Sequence, residues 1–396
     1  MHLHYLPDLP DPHYNHWMAV ETKPKAGLEE VIAGESAICF LDGDKGVLAY
    51  QGFDIHDLAN NATFEETCYL LWHGRLPNRA ELGDLKTQLA QSRDLPEPII
   101  RLMRQLPPVG GMDALRTLTS ALAHYDKDAD DKTPQGRYRT AVRLTAQISS
   151  IVATWGRMST GGGPIQADPA LSHAANFLYM LTGERPSALA TRAFDIALIL
   201  HADHELNAST FAARVAAATL TDMHSAITGA IGALKGPLHG GANADVMRLL
   251  IEIGEDAPGE RIDEAIKGKL AKKEKIPGFG HRVYNTEDPR ATHLRRMSKE
   301  LGEKAGNTRW FEMSQRIERL VTGEKKLYPN VDFYSASTYH TLGIDIDLFT
   351  PIFAVSRISG WTAHVLEQYA NNRLIRPRAE YIGPAHPQQF VPLENR

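Results

Sequence analysis

The chain has 396 residues, 43% of them apolar and 23% charged. Its 43 Lys and Arg against 48 Asp and Glu give a net charge of −5, with no block of like charge that would mark nucleic acid or an anionic membrane as partner. These figures exclude a collagen, a coiled-coil rod and a mostly disordered chain, and at roughly 150 residues per domain they predict two or three folding units, or one large core with an inserted lobe.

Any anion the protein binds must therefore be held by a few local arginines and histidines. Two cysteines, Cys39 and Cys68, are too few for a disulfide framework and lack zinc spacing. Buried free thiols in a reducing compartment are expected. No apolar run reaches the ~20 residues that span a bilayer. Residues 1–17 carry Pro7, Pro10, Pro12, Asp8 and Asp11 and no apolar h-region, so they do not read as a secretory signal. A cytoplasmic protein is the expectation. The same stretch holds His2, His4, His13 and His16. It could bind metal, but an irregular arm docked on a neighbour is the preferred reading.

In chain order, 38–41 and 47–50 read as a β-hairpin around a turn with two glycines at 42–46. Thr63-Phe64-Glu65-Glu66 is a capping box that opens a helix stopping at Gly74. Pro77 lies in the connection to a helix containing Leu82, Leu85 and Leu89. Residues 112–124, 137–155 and 171–181 show the 3.6-residue apolar period. Residues 187–205 and 210–234 are Ala-rich and apolar around most of the helix, which predicts two central buried helices. The glycine-rich 159–164 lacks a P-loop ending and a preceding strand, and reads as a helix–helix loop. Thr350-Pro351 reads as a cap with proline at the first helical position, the helix running to about residue 370. There is no βαβ alternation, so an all-α fold is expected.

Four segments interrupt this apolar helical text with polar residues. In His201-Ala202-Asp203-His204-Glu205-Leu206-Asn207, the two histidines three apart can share a face. A zinc pair and the wet end of a core helix both fit, although the zincin pattern is absent. In Gly236-Pro237-Leu238-His239-Gly240-Gly241-Ala242-Asn243, a histidine sits among glycines before a helix expected over 243–253. The helix N-terminus disfavours a protonated imidazole. A neutral His239 can then donate to a developing enolate oxygen, or merely cap the helix.

In Ile276-Pro277-Gly278-Phe279-Gly280-His281-Arg282-Val283-Tyr284, again a histidine lies in a glycine-bounded loop. Arg290, nine residues on, begins the next helix and is suited to bidentate carboxylate binding. A surface loop with solvated charges is the alternative. In Tyr328-Pro329-Asn330-Val331-Asp332-Phe333-Tyr334-Ser335, one acid lies between apolar and aromatic neighbours. Such surroundings raise a carboxyl pKa toward the range of a general base; a solvated loop acid is the alternative.

Together and in this order, the segments resemble the citrate synthase family over residues 27–384. The shared phrases are 48–58 (Leu-Ala-Tyr-Gln-Gly-Phe-Asp-Ile-His-Asp-Leu), His204-Glu205, 236–243, 277–290, 328–332, 353–357 and Arg376-Pro377-Arg378. Length and N-terminus are similar to the compact dimeric bacterial and archaeal form, not to the longer hexameric form regulated by NADH. The resemblance implies the Si-type condensation of acetyl-CoA with oxaloacetate. Asp332 would take a methyl proton, His239 would stabilise the enol or enolate, and His281 would polarise the ketone and supply a proton. His204, Arg290, Arg357 and Arg376 would hold the two carboxylates, Arg376 reaching in from the partner subunit. Pro277, Gly278, Phe279, Gly280 and Asn330 would touch CoA.

The resemblance further implies no metal and no cofactor, acetyl-CoA being a substrate. It implies an all-α homodimer with one short N-terminal β-hairpin. A large helical domain (27–238 and 339–396) would follow an N-terminal arm (1–26), and a smaller helical domain (239–338) would close over the active site. Two departures stand out. Many relatives carry His-Pro-Met before the Asp-Ala-Leu-Arg helix where this chain has Gly110-Gly111-Met112, and a looser loop is expected. Many carry a lysine that meets a CoA phosphate where this chain has Asn285, and weaker CoA binding is expected. The rival activity is 2-methylcitrate synthase acting on propionyl-CoA, since one methylene is discriminated by only ~1–3 kcal/mol. A non-catalytic assembly protein of the same fold and a metal hydrolase built on His201 and His204 are the readings from other classes.

Overall fold

The computed structural model describes residues 26–28 and 31–396. The His-rich arm expected over 1–26 lies outside the described residues except for Ala26. Residues 36–375 form one compact unit, and 376–396 fall in a second together with the N-terminal residues. In the second, 376–396 are exposed and largely irregular, ending in a 3₁₀ turn at Leu393–Asn395, with the Arg396 guanidinium 5.4 Å from the centre of the Phe390 ring.

The first unit begins with a small antiparallel sheet of β1 (Cys39–Asp42), β2 (Val47–Tyr50) and β3 (Phe53–Asp54), in that order. Cys39 pairs with Tyr50 and Asp42 with Val47, as the hairpin reading requires; β3 adds a third strand that the sequence did not announce. Everything after it is helical: α1 (Ile55–Asn61), α2 (Phe64–His73), α3 (Arg79–Gln91), α4 (Glu97–Gln105), α5 (Gly111–Leu122), α6 (Pro134–Ser159), α7 (His173–Thr182), α8 (Ala188–His201), α9 (Ala208–Ala217), α10 (Met223–Lys235), α11 (Ala242–Ile253), α12 (Gly259–Ala271), α13 (Ala291–Ala305), α14 (Arg309–Lys325), α15 (Val331–Thr341) and α16 (Phe349–Ala370). The fold is all-α. Among the described residues, no helix is long and apolar enough to cross a membrane.

Local chemistry sets the helix ends. Thr63 accepts from the Glu66 N–H and Glu66 accepts from the Thr63 N–H, so the capping box of α2 is complete. Gly74 closes the same helix in the left-handed region. The core is organised around α16, which is buried on every side from Phe349 to Val365 and packs on α2, α5, α6, α8, α9 and α10. A mostly apolar helix with no solvent face takes the centre, and its few polar side chains, Arg357 and His364 among them, are buried with it. Helices α11–α15 pack on one another and meet the rest through α8 and α16.

Four features differ from the sequence reading, three of them helix boundaries. Residues 210–234 are not one helix: Leu220 has φ of 64°, and Asp222 starts α10 by accepting from the Ser225 N–H. Helix α8 stops at His201 rather than 205, and Glu205 has φ of 52°. Helix α16 starts at Phe349 without a side-chain cap; the Thr350 hydroxyl instead donates to the Gly240 carbonyl at 3.0 Å. Gly111 is no slack loop. It is buried, its N–H donates to Asp347 at 2.8 Å, and a Cβ there would sit 2.9 Å from Pro351, so close packing accounts for the glycine. Cys68 is buried, but Cys39 is only half-buried; both are free thiols.

Candidate active site

The polar segments converge on the C-terminal end of α8, the middle of α16, the turn before α11 and the loops that open α13 and α15. His239 sits in the turn between α10 and α11. Its Nε2 accepts from the Ser209 N–H at 3.2 Å and lies 2.8 Å from the Ser209 hydroxyl, which itself accepts from the Trp361 indole at 3.1 Å. A backbone N–H can only donate, so the neutral ring carries its proton on Nδ1. Burial, reinforced by the charge of Arg357, lowers the His239 pKa to about 4. Burial and this guanidinium favour the neutral imidazole read from the sequence.

His281 is held the opposite way round. Its Nδ1 accepts from the N–H groups of Val283 at 3.0 Å and Tyr284 at 3.2 Å, which leaves the proton on Nε2. Burial, then the charge of Arg290, lowers its pKa to about 4. His204 faces it with ring centres 5.1 Å apart, and His204 Nε2 lies 3.2 Å from the Tyr284 hydroxyl. Burial first, then Arg290, holds His204 well below the usual imidazole range.

Two guanidiniums are buried here. Arg290 precedes α13 and forks onto Asp288, through Nε at 2.9 Å and Nη2 at 2.7 Å. Burial opposes its charge, but Asp288 more than offsets this and holds Arg290 above its ordinary value. Arg357, on α16, donates from Nε to the His201 carbonyl at 2.7 Å and lies 4.7 Å from the centre of the Phe353 ring. Asp288 also accepts from the Val331 N–H at 3.1 Å, which ties the Arg290 loop to the start of α15.

One residue further on stands Asp332, in the first turn of α15. Its N–H donates to the Asn330 side chain at 3.0 Å. Its Oδ1 is shielded from solvent and has no hydrogen-bond partner. Burial raises its pKa to about 7, against the pull of Arg290 and Arg357 and with the push of Asp288. A carboxyl in this state can accept a proton near neutral pH. The same two arginines act on His204 and Asp332, while Arg357 acts on His239 and Arg290 on His281. Thus the three histidines and the acid share one local field.

The Pro277–Gly280 segment runs beside the start of α15. Phe279 and Pro329 form an antiparallel bridge, Asn330 donates its backbone N–H to the Gly278 carbonyl at 2.9 Å, and its side-chain amide to the Gly280 carbonyl at 2.9 Å. Gly278 has φ of 79°, and a Cβ there would come within 2.7 Å of Val246 and 2.9 Å of Phe333. No other residue fits. A cavity of about 230 Å³ opens beside His281, with Asn285, Lys326 and Pro329 in its wall. Asn285 does not face it freely: its side chain donates to Asp44 at 2.7 Å. A larger cavity, about 370 Å³, lies between α12 and α14 and holds none of these residues; its Arg316 is paired with Asp263 at 2.7 Å.

Arg376 is exposed and belongs to the second unit. His201 turns its Nδ1 to its own helix, 2.8 Å from the Ala197 carbonyl. Among the described residues, no group of three or more His, Cys, Asp or Glu is placed to hold a metal ion. Sequence reasoning gave no role to Ser209, Tyr284 or Asp288. Asp288 stood in view as Asp288-Pro289-Arg290, where an acid two before an arginine signals a local fork; Ser209 carried no such signal.

An all-helical fold that gathers neutral imidazoles, buried guanidiniums and one unpaired carboxyl of near-neutral pKa defines an enzyme for proton transfer on an anionic substrate. The family described as "Citrate synthase, C-terminal domain" matches residues 27–378. The chain is 57% identical to citrate synthase 2 of Bacillus subtilis over 93% of its own length and 98% of that protein. It is 44% identical to a 2-methylcitrate synthase of Shewanella oneidensis, covering 94% and 98%. Among solved structures, citrate synthase of Pyrobaculum aerophilum superposes with a TM-score of 0.87 at 42% identity, covering 94% and 95%. A citrate synthase of Thermoplasma acidophilum, solved as a ternary complex with carboxymethyl coenzyme A and oxaloacetate, gives 0.86 at 33%, covering 94% and 99%. The chain belongs to the citrate synthase family.

Proposed function

We propose that the chain catalyses the reaction of its family, the condensation of acetyl-CoA with oxaloacetate and water to citrate and CoA, the entry step of the tricarboxylic acid cycle. Asp332 removes a methyl proton from acetyl-CoA. His239, with its proton on Nδ1, donates to the thioester oxygen as the enolate forms. One such preorganised donor is worth about 3–4 kcal/mol in the transition state. His281, with its proton on Nε2, polarises the ketone and protonates the new alkoxide. Water then cleaves the citryl thioester. His204, Arg290 and Arg357 hold the two carboxylates, because a desolvated dianion needs several charge-assisted partners.

The observation that carries this reading is the solvent-shielded Asp332 oxygen without a partner. It stands among neutral imidazoles and guanidiniums, and the neighbouring Asp288 carboxylate is already taken up by Arg290. Completion of the site by Arg376 of the partner subunit, CoA contacts from Pro277, Gly278, Phe279, Gly280 and Asn330, and closure of 239–338 over the substrates belong to the same proposal. So do a homodimer and a cytoplasmic location, the location alone being supported by the two free thiols. Thiol release with oxaloacetate, on acetyl-CoA and propionyl-CoA side by side, tests it. Faster turnover of acetyl-CoA is expected. A clear preference for propionyl-CoA would support the 2-methylcitrate reading, which the Shewanella oneidensis relative favours, and no release from either thioester would overturn both.

A further inference from the structure

Behind His204 lies a chain of buried polar groups that the reaction above does not use. Asp203 and His364 are fully buried and Arg214 nearly so. His364 Nε2 lies 3.3 Å from Asp203 Oδ1 and 3.4 Å from Oδ2. His364 Nδ1 lies 3.1 Å from Arg214 Nη1. Arg214 is fixed in turn by Glu367 at 2.5 Å and by Gln368 at 3.2 Å. A guanidinium has no acceptor, so His364 Nδ1 must be the acceptor of that contact. The imidazole proton is therefore on Nε2, facing the Asp203 carboxylate.

Asp203 is the anchor of the turn that follows α8. Its Oδ2 accepts from the Glu205 N–H at 3.1 Å, which holds Glu205 in the left-handed region, where a side chain is disfavoured. Its backbone is clamped by the Tyr50 hydroxyl, through the carbonyl at 3.0 Å and the N–H at 3.2 Å. His204 sits inside this turn. The turn's other side carries the His201 carbonyl that receives Arg357. Gly360 lets α16 approach: its N–H donates to the Ala202 carbonyl at 3.1 Å, and a Cβ there would lie 2.4 Å from Asp203 Oδ1.

We propose that Arg214, His364 and Asp203 form a buried positioning relay that holds the His204 turn and the Arg357 guanidinium in register for a dicarboxylate substrate. This rests on the assignment of His204 and Arg357 to oxaloacetate. None of the three touches the substrate. They act by fixing the direction of two groups that do.

The test uses the full chain and three variants. His364→Gln keeps an acceptor for Arg214 and a donor for Asp203. His364→Asn is too short to serve both. His364→Leu serves neither. Oxaloacetate affinity is read by calorimetry without acetyl-CoA, and both KM values and kcat are read by thiol release. His364→Leu and His364→Asn are expected to weaken oxaloacetate about tenfold or more, the scale of a lost buried hydrogen bond to a charged group. The acetyl-CoA KM should stay within about threefold and His364→Gln near wild type on the same scale. A role in stability alone would lower the melting temperature and leave the oxaloacetate affinity of the folded fraction unchanged. Unchanged affinity in His364→Asn, or His364→Gln as impaired as His364→Asn, overturns the relay. A wild-type chain that fails to bind oxaloacetate overturns the functional assignment and the relay with it.

Discussion

The site has two sides that are built differently. On the side of α8 and α16, the buried charges face partners: Arg357 the His201 carbonyl, Asp203 the His364 imidazole and the Glu205 N–H, although its Oδ1 accepts no hydrogen bond, and Arg214 the Glu367 carboxylate. On the side of α13 and α15, Arg290 is forked onto Asp288, but Asp332 keeps an oxygen without a partner. A paired buried charge is fixed and binds. An unpaired buried carboxyl is held at higher free energy and can exchange a proton. The difference separates holding the substrate from transforming it, and substitutions on the two sides should fail in different ways.

The largest effect is expected from Asp332→Asn. It should lower kcat by about 10²–10⁴, the usual contribution of a positioned base, while calorimetry finds oxaloacetate affinity nearly unchanged. The same variant should gain stability at alkaline pH. Because burial raises the Asp332 pKa to about 7, the folded state holds the proton more tightly than the unfolded one. That contribution is complete below the unfolded carboxyl value and is lost as pH rises through about 7. Melting temperatures should therefore favour Asp332→Asn at pH 8 and converge with wild type near pH 4.

Next come the two imidazoles. His239→Ala and His281→Ala should each cost about 10²–10³ in kcat if each supplies one donor to developing charge, a loss read in single-turnover thiol release. On the binding side, Arg357→Met should raise the oxaloacetate KM by about 10–100-fold, as expected for a lost charge-assisted contact, with a smaller change in kcat. Equal losses of kcat in Arg357→Met and Asp332→Asn would erase the distinction between the two sides.

The smallest effect is expected at Asn285. Its side chain is bonded to Asp44, so a lysine placed there would meet that carboxylate before it met a phosphate. Asn285→Lys should lower the acetyl-CoA KM by no more than about threefold, the worth of an exposed charge contact. A tenfold drop would show that Asp44 does not hold the new lysine and that Lys326 in the cavity wall does not already supply the phosphate contact.

Much of this was legible in the sequence because its signals were local. The Thr63 capping box, the Gly74 stop, the hairpin glycines and the Arg290 helix start each depend on residues within a turn of one another. The three blocks around His239, His281 and Asp332 could likewise be marked as polar text in apolar surroundings. What could not be read is what joins them. Arg214 meets His364 across 150 residues of chain and Trp361 meets Ser209 across 152, distances at which no periodicity speaks. The break between α9 and α10 was missed for a different reason. Ala-rich sequence continues through it, and the capping signal of Asp222 was outweighed by apolar residues on both sides.

The most direct test of the central claim is the pH dependence of kcat/KM for acetyl-CoA at saturating oxaloacetate. A base held by burial near pH 7, beside imidazoles that titrate near 4, gives one acid limb: the rate should fall tenfold per unit below about pH 7 and be flat above it. A rate independent of pH between 5 and 8 would contradict the assignment of the unpaired Asp332 carboxyl as the base.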